Sequence, residues 1–204
     1  MRDVNVLMVG VGGQGVILAS DGMGEIGMNN GYDVKKSDTL GMAQRGGSVV
    51  SHIRWGRQVF SPMIKKGNVD FLIGFEQLES ARWAPYLKSG GVAIVADVTV
   101  VPVSVVGSTM SYPSWEEIEG ILSQHTHQTY LIPASRIATQ AGNPRALNMV
   151  MLGSLSVFLE LETEAWTETM RRRLPPKFVE SSIEAFMRGA DEVKAVIQAK
   201  EIKK

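Results

Sequence analysis

The chain has 204 residues, of which 44% are hydrophobic, 21 are basic and 21 are acidic. This length and apolar content are sufficient for one compact domain with a substantial core. The balanced charge gives no electrostatic basis for nucleic-acid binding, and no stretch approaches the roughly 18 consecutive apolar residues of a membrane-spanning helix. The absence of cysteine excludes a thiolate-held iron–sulfur cluster, a disulfide and a cysteine nucleophile on these residues.

The first element is a short apolar run at residues 4–9, which glycine ends at once. The run predicts a buried strand of a parallel sheet. The stretch Gly10-Val11-Gly12-Gly13-Gln14-Gly15 then predicts a tight turn, and a helix should begin near Gln14 and end at residues 29–31. Strand, glycine turn and helix together form the opening of a βαβ unit.

The spacing of Gly10, Gly12 and Gly15 matches the G-x-G-x-x-G pattern of dinucleotide sites. In such sites the free N–H groups at the start of the helix bind an anion. Gly13 and Gln14 lie in the same turn, so the whole turn is a candidate cofactor-binding segment. The alternative is that these glycines only allow the strand and the helix to pack closely.

A dinucleotide site also needs an acidic residue at the end of the second strand, where it binds a ribose hydroxyl. The second predicted strand lies around residues 32–36 and is followed by Asp38, which is therefore a candidate ribose ligand. Two lysines precede Asp38 and a second glycine-rich segment follows it. The sequence therefore leaves bound NAD as one of two interpretations.

The second glycine-rich segment, residues 41–47, contains long side chains that are unusual in a linker. Its glycines, which include Gly46 and Gly47, predict a flexible or strongly turned loop. Arg45 beside them can approach a phosphate or a carboxylate in fork geometry. We therefore take Gln44 and Arg45 as candidate supporting catalytic residues, and Gly46 and Gly47 as candidate cofactor-binding positions. The alternative for Arg45 is a surface ion pair.

Residues 48–55 alternate as in a strand, and Gly56-Arg57 predicts a turn into residues 58–62. This pattern predicts a β-hairpin that interrupts the βαβ order. The hairpin should fix the preceding glycine-rich segment at both ends. His52 lies in the hairpin and is interpreted as a structural hydrogen-bonding residue, with a role as a base left open.

Two further buried strands are predicted at residues 69–75 and 92–97, and both lead to an acidic residue. Because the carboxyl ends of parallel strands line the ligand crevice, Glu76 should lie near the first glycine turn. Glu76 is either a site residue or a first-turn carboxylate of the helix predicted at residues 77–86. Residues 99–106 are rich in valine and interrupted by proline, which predicts an edge strand.

The second half of the chain continues the alternation of helices and strands. Ser114 and Glu117 predict a capping box for a helix that extends to about Gln124. A last parallel strand follows at residues 130–133, and then a short helix. His125 and His127 suggest a metal site, but no carboxylate or cysteine stands at ligand spacing beside them, so no metal is predicted.

A broad apolar helix is predicted to begin at Asn143-Pro144-Arg145, with Asn143 as its cap and Pro144 at its first position. So wide an apolar surface should be buried against the sheet and a second element. Asn143 and Arg145 are candidates for contact with a partner chain or for holding the glycine-rich crevice together. Helix capping and a salt link are the alternative.

The last part of the chain is amphipathic and charged, with two helices separated at residues 174–176. Such a tail should pack back onto the sheet or onto a neighbour. The run Arg171-Arg172-Arg173 is interpreted as a solvated helix end, with binding of a phosphate or an acidic partner as the alternative. We predict a Rossmann-like domain at residues 1–160 and a helical extension at 161–204 that packs on the same domain.

Three motifs, in this order, resemble one known family. They are the turn at residues 10–15, the segment Gly-Met-Ala-Gln-Arg-Gly-Gly-Ser-Val-Val-Ser-His-Ile-Arg at residues 41–54, and Gly-Asn-Pro-Arg-Ala-Leu-Asn-Met-Val-Met-Leu-Gly at residues 142–153. Over nearly the whole chain the sequence resembles the gamma-type subunit of 2-oxoacid:ferredoxin (acceptor) oxidoreductases. Within that family it is most similar to the beta subunit of the indolepyruvate ferredoxin oxidoreductases.

The resemblance implies a multi-subunit enzyme that oxidatively decarboxylates a 2-oxoacid of the indolepyruvate, pyruvate or 2-oxoglutarate type. Such enzymes use thiamine diphosphate, pass electrons through iron–sulfur clusters to ferredoxin, and form an acyl-coenzyme A. Their thiamine and cluster sites lie largely on other subunits, which agrees with the lack of cysteine here. This chain would then be a non-cluster subunit that completes the active-site junction and is inactive alone.

The predicted architecture is α/β: a Rossmann-like, mostly parallel sheet with helices on both faces, a β-hairpin insertion and a C-terminal helical extension. The expected location is the cytoplasm, because the first strand begins too early to leave room for a signal peptide. The isolated chain could form a homodimer. Two alternatives stay open, namely a stand-alone oxidoreductase that binds NAD or FAD, and a purely structural subunit whose glycine-rich segments affect assembly alone.

Overall fold

The computed structural model of the protein describes residues 3–41, 47–101 and 111–202. Six strands form one sheet in the order β2-β3-β1-β4-β5-β6. They are β1 (Val4–Val11), β2 (Asp33–Leu40), β3 (Ser48–Gly56), β4 (Val69–Gly74), β5 (Leu87–Ala96) and β6 (Gln128–Ile132). The pairs β1–β4, β4–β5 and β5–β6 are parallel, whereas β3 is antiparallel to both β1 and β2. All strands except β3 therefore point in the same direction.

Seven α-helices lie in the described part of the chain and cover both faces of the sheet. They are α1 (Val16–Asn29), α2 (Gln77–Trp83), α3 (Trp115–Ser123), α4 (Ala134–Gln140), α5 (Leu147–Ser156), α6 (Thr163–Arg173) and α7 (Pro176–Ile202), with a short 3-10 turn at Ala84–Tyr86. The predicted Rossmann-like architecture is confirmed, including the C-terminal helices. None of the helices described is long and apolar enough to cross a membrane.

The larger of two hydrophobic clusters lies between the sheet and the helices α1, α4 and α5. It includes Val6 and Met8 of β1, Met23 of α1, and Val150 and Met151 of α5, all of them fully buried. α7 packs outside α5, and α6 packs against α1. The broad apolar surface of α5 is thus covered by the sheet on one side and by α7 on the other, as the sequence predicts.

The smaller cluster lies on the opposite face, under α2 and α3. It contains Leu7 and Val9 of β1, Leu72 of β4, and Ile118 and Leu122 of α3. Alternate residues of each strand therefore enter different clusters, as the two-residue period of a β-strand requires.

The hairpin lies elsewhere than the sequence pattern suggests. The prediction joined residues 48–55 to residues 58–62, but residues 58–62 contain no strand. β3 instead pairs with the whole of β2, from Asp33 opposite Gly56 to Leu40 opposite Val49. The hairpin is therefore β2–β3, and the second glycine-rich segment is its loop. Both ends of that segment are therefore held, as expected, but by β2 and β3 and not by the predicted hairpin.

Two other predictions need correction or lie partly outside the described residues. The start of α5 is at Leu147, after a turn in which the side-chain oxygen of Asn143 accepts the N–H of Arg145 at 3.1 Å. Asn143 therefore caps this turn and not the helix. Residues 99–101 are not a strand, and the rest of the edge strand predicted at 99–106 lies outside the described residues.

The triple arginine joins the C-terminal helices to α1. Arg173 forms an ion pair with Glu25 at 2.9 Å and lies 3.7 Å from Asp21, and Arg172 lies 3.8 Å from Glu25. Lys36 of β2 reaches the same Asp21 at 2.5 Å. Charges from α1, α6 and β2 thus form one network at the surface, and Arg171 pairs with Glu164 of its own helix at 2.9 Å. All three arginines therefore form intramolecular ion pairs.

Candidate functional site

The two glycine-rich segments meet at the carboxyl ends of the parallel strands. The first follows β1 directly, and the N–H of Gly12 donates a hydrogen bond to the carbonyl oxygen of Gly47 at 2.9 Å. The N–H of Gly41 donates to the carbonyl oxygen of Ser48 at 2.7 Å, which closes the hairpin below the loop. Gly12 of the first segment and Gly47 at the end of the second, although far apart in sequence, thus lie side by side.

Gln14 braces the first turn from inside. Its side-chain oxygen accepts the N–H of Val11 at 2.8 Å, and its side-chain nitrogen donates to the carbonyl oxygen of Phe75 at 2.8 Å. A Cβ atom at Gly10 would lie 2.6 Å from the Gln14 oxygen and 2.8 Å from the Phe75 Cβ. Gly10 is therefore required for this close approach, and Gln14 connects the ends of β1 and β4.

Gly15 meets α5 at the start of α1. Its backbone is left-handed, with φ of 79°, and a Cβ atom there would lie 2.7 Å from the side-chain nitrogen of Asn148. That nitrogen also donates to the Gly15 carbonyl oxygen at 3.5 Å, and Asn148 is buried. The packing explanation thus accounts for Gly10 and Gly15, and Asn148 is a contact that the sequence analysis missed.

A groove of about 390 Å³ lies over the first glycine turn. Gly12, Gly13 and Gly15 form its floor, and its walls are the apolar side chains of Val11, Val16, Ile17, Leu40 and Val49. Leu40 is 65% exposed at the end of β2. No lining residue carries a charge, so the groove offers a ligand apolar walls together with the first N–H groups of α1.

Asp38 lies two strands away from the first turn. The antiparallel β3 stands between β2 and β1, and Asp38 is inside β2, opposite Ser51. One carboxylate oxygen accepts the Ser51 hydroxyl at 2.6 Å and the other pairs with Lys36 at 2.7 Å. Both oxygens thus have partners within the sheet, and the role of Asp38 as a ribose ligand stays a prediction.

The other candidates fall into two groups. Gln44, Arg45 and Gly46 lie outside the described residues, so their roles stay predictions. Arg145 and Asn143 form the exposed turn before α5. The same motif supplies Asn148, so a residue of this motif does contact the first glycine turn, but it is a different one from those chosen. No local sequence pattern distinguishes Asn148 as the residue that contacts Gly15.

The start of α2 organises the neighbouring chain segments. The carboxylate of Glu76, which is 1% exposed, caps the helix by accepting the N–H of Glu79 at 2.8 Å. Its other oxygen accepts the N–H of Val100 at 3.1 Å and the hydroxyl of Tyr112. Burial and the neighbouring Glu76 carboxylate raise the pKa of Tyr112, so its hydroxyl stays protonated and donates. Glu76 therefore serves as a structural anchor between α2 and two later segments.

Glu79 anchors the hairpin to the same helix. Its carboxylate accepts the hydroxyl of Ser48 at 2.6 Å and pairs with Arg82 at 2.6 Å. Ser48 is the first residue of β3, immediately after the second glycine-rich segment. The carboxylates of Glu76 and Glu79 thus tie β3 and the segment after β5 to one short helix.

His52 is buried and structural in its contacts. Its Nδ1 accepts the N–H of Ile64 at 3.3 Å, and its ring meets Trp83 and Tyr86 edge-on. Burial lowers the pKa of His52, so the ring is neutral near pH 7. Among the residues that the structure describes, no group of three or more His, Asp or Glu side chains could hold a metal ion.

The described part of this site can bind and shape, but it presents no acid or base to a ligand. The groove contains apolar side chains and backbone donors, whereas the buried carboxylates near it are occupied by hydrogen bonds. Such a surface suits a contribution to chemistry performed by groups held elsewhere.

Comparison with known proteins gives a consistent result. The model of the family described as pyruvate ferredoxin/flavodoxin oxidoreductase matches residues 5–192. The chain is 34% identical over 200 residues to indolepyruvate oxidoreductase subunit IorB of Pyrococcus horikoshii, with 97% of this chain and 99% of the relative covered. The family resemblance predicted from the sequence motifs is confirmed.

Solved structures have the same fold. The gamma subunit of a keto/oxoacid ferredoxin oxidoreductase from Geobacter sulfurreducens superimposes with a TM-score of 0.72 at 24% identity, covering 96% of this chain and 98% of that one. A 2-oxoglutarate:ferredoxin oxidoreductase from Magnetococcus marinus, with 2-oxoglutarate, coenzyme A and succinyl-CoA bound, gives 0.73 at 19% identity. This chain covers 32% of that longer polypeptide and is itself 96% covered.

Proposed function

Because the chain belongs to the pyruvate ferredoxin/flavodoxin oxidoreductase family, we propose that its glycine-rich carboxyl edge closes the active-site junction of a larger enzyme. The chain is a subunit of a 2-oxoacid:ferredoxin oxidoreductase, an enzyme class that acts on oxo-group donors with an iron–sulfur acceptor. Its own part in that activity is supporting: it supplies a shaped surface and hydrogen-bond donors where companion subunits hold the reacting groups.

The observation that carries this proposal is the hydrogen bond from Gly12 to Gly47, with the apolar groove beside it. The bond fixes the two glycine-rich segments to each other before any partner binds. Preorganised backbone donors stabilise bound charge at little reorganisation cost. An edge built in this way, with exposed Leu40 at its rim, suits contact with a companion subunit.

The cofactors divide between the chains in this proposal. Iron–sulfur clusters require cysteine ligands, and this chain has none, so the clusters belong to a companion. The companion also binds thiamine diphosphate and exchanges electrons with ferredoxin. The glycine groove would contact part of the thiamine diphosphate or coenzyme A held at the junction through N–H groups and apolar walls. The proposed substrate is an aryl pyruvate or a related 2-oxoacid, and the proposed location is the cytoplasm.

The decisive experiment replaces Arg45 with alanine in the reconstituted complex. If Arg45 contacts the bound cofactor or substrate, turnover should fall by about 10-fold or more, as expected for loss of a charge-assisted contact. The unfolding midpoint of the isolated chain should stay unchanged. Arg57→Ala, at an exposed arginine after β3, is the matched control and should leave turnover intact.

A second pair of variants tests the groove as a contact surface. Leu40→Ser removes an exposed apolar side chain from the rim of the groove, whereas Met28→Ser removes one that is 58% exposed outside it. Only Leu40→Ser should weaken association with the companion subunit, by about 1–2 kcal/mol, as measured by calorimetry. If the subunit is purely structural, Leu40→Ser should still weaken assembly. The assembled complex that carries Arg45→Ala should then turn over at the wild-type rate.

A further inference from the structure

A second pocket lies at the opposite, amino edge of the sheet, on the face covered by α2 and α3. Its volume is about 470 Å³. Asn5 at the start of β1 and Arg54 near the end of β3 stand opposite each other in the sheet and line the pocket, together with Ser61 and Lys65 of the segment that follows β3. This pocket shares no residue with the glycine groove.

Arg54 is the central group of this pocket, and neutral acceptors hold it in place. Its Nε donates to the side-chain oxygen of Asn5 at 2.9 Å, and one terminal nitrogen donates to the carbonyl oxygen of Ser61 at 2.9 Å. Among the described residues, no carboxylate lies within ion-pair distance of Arg54. A guanidinium has five N–H donors, so this half-buried cation keeps donors and its full charge available to a ligand.

The surrounding contacts fix the orientation of Arg54. The Asn5 side-chain nitrogen donates to the carbonyl oxygen of Asn68 at 3.1 Å, which directs its oxygen toward Arg54. Asp70 joins this network by accepting the backbone N–H of Asn5 at 2.7 Å. Asp70 is paired with Lys88 and does not line the pocket. The network therefore leaves the positive charge of Arg54 uncompensated.

Two further donors complete the pocket. Lys65 is exposed and adds a second positive charge to the lining. The oxygen of the Ser61 hydroxyl accepts the N–H of Met63 at 3.3 Å, which leaves its hydrogen free to donate. Two cations and a hydroxyl donor around one cavity, with no acidic side chain in the lining, match the charge and the several acceptors of a phosphate group.

We propose that this amino-edge pocket binds a phosphate group, either free or as part of a small phosphorylated molecule, with Arg54 as the fork-shaped ligand and Lys65 as the second charge. The site is independent of the glycine edge, because it lies at the other end of β1 and β3. It can therefore be occupied whether or not the proposed junction role holds.

The test is a titration of the isolated full-length chain with inorganic phosphate, in which NMR chemical shifts of the backbone amides report binding. The expected result is a saturable shift of the amides at residues 61–68, absent with sodium chloride at equal ionic strength. Lys65→Gln should weaken binding about threefold, as for an exposed charge pair. Arg54→Lys should weaken it about 10-fold, because it keeps the charge but loses the fork.

Lys194→Gln, at an exposed lysine of α7, is the matched control and should leave the affinity unchanged. Acetate at the same ionic strength serves as a carboxylate probe. Non-saturable shifts, or equal affinity in the wild type and Lys65→Gln, would overturn the site. Tighter binding of acetate than of phosphate would overturn the ligand class. Lys65 is exposed, so that variant keeps the test decisive if Arg54→Lys fails to fold.

Discussion

The two faces of the sheet are covered in different ways. One face carries α1, α4 and α5, with α6 and α7 packed on them as a second layer, although α7 also contacts β6. In the described part of the chain, the helices on the other face are α2, the 3-10 turn and α3. The buried carboxylates of Glu76 and Glu79 and the buried His52 lie on this thinner side.

The two faces therefore have different roles: one mainly stabilises the fold, and the other also positions the glycine edge. The double-layered face is held by close apolar packing, which tolerates little change in volume. The thin face is held by hydrogen bonds that run from α2 to the hairpin and to the segment after β5. We expect substitutions on the first face to act mainly on folding, and substitutions on the second to act also on the glycine edge.

The largest expected effect is at the contact between α5 and α7. A Cβ atom at Gly153 would overlap the backbone of Phe186, so Gly153→Ala should push the two helices apart and destabilise the protein by about 3 kcal/mol. Gly120→Ala in α3 of the thin face meets open space and should stabilise it by about 0.5–1 kcal/mol. Urea unfolding measures both, and effects of the same sign would contradict the comparison.

A smaller effect is expected at Glu76. Replacement by alanine leaves the N–H groups of Glu79 and Val100 and the hydroxyl of Tyr112 without their acceptor, which should cost about 2 kcal/mol. Tyr112→Phe removes one of these donors and should cost about 1 kcal/mol. If the thin face positions the glycine edge, Glu76→Ala should also lower turnover of the assembled complex. Unchanged turnover at full occupancy of the folded subunit would argue against that link.

The smallest effect concerns pH. Burial lowers the pKa of His52 below its ordinary value of 6.5 in the folded protein, so the unfolded chain binds a proton that the folded chain excludes. Stability should therefore be constant above about pH 6.5 and fall as the pH decreases below it. Unfolding free energies measured from pH 8 to pH 5.5 test this, and His52→Gln should flatten the decline. An equal decline in the variant would assign the effect to other groups.

Local patterns predict the parallel half of the fold well. β1 with its glycine turn, β4, the second half of β5 and β6 are apolar runs, and the capping box of Ser114 and Glu117 is present in the structure. β5 itself begins at Leu87, before the predicted start at residue 92. In each case the residues that define the element are neighbours in sequence. The local pattern is therefore sufficient to identify the element.

The antiparallel half depends on pairing that no local pattern specifies. Gly56-Arg57 has the form of a hairpin turn, yet β3 pairs with the preceding strand β2 on one side and with β1 on the other. Asn143 fails for a related reason, since the same side chain can cap a helix or a turn. At the site, the contact from Asn148 to Gly15 spans 133 residues, a separation at which single-sequence periodicity gives no information.

Both lateral edges of the sheet carry features that oppose self-association. At one edge, β2 carries Lys35 and Lys36, which pair with Asp33, Asp21 and Asp38. At the other edge, the ammonium of Lys200 donates a hydrogen bond to the carbonyl oxygen of Thr129 on β6. Charged side chains and occupied carbonyls impede strand-to-strand polymerisation. A subunit synthesised ahead of its companions therefore has protection against fibril-like aggregation until assembly, and removing residues beyond about 195 would strip that protection from one margin.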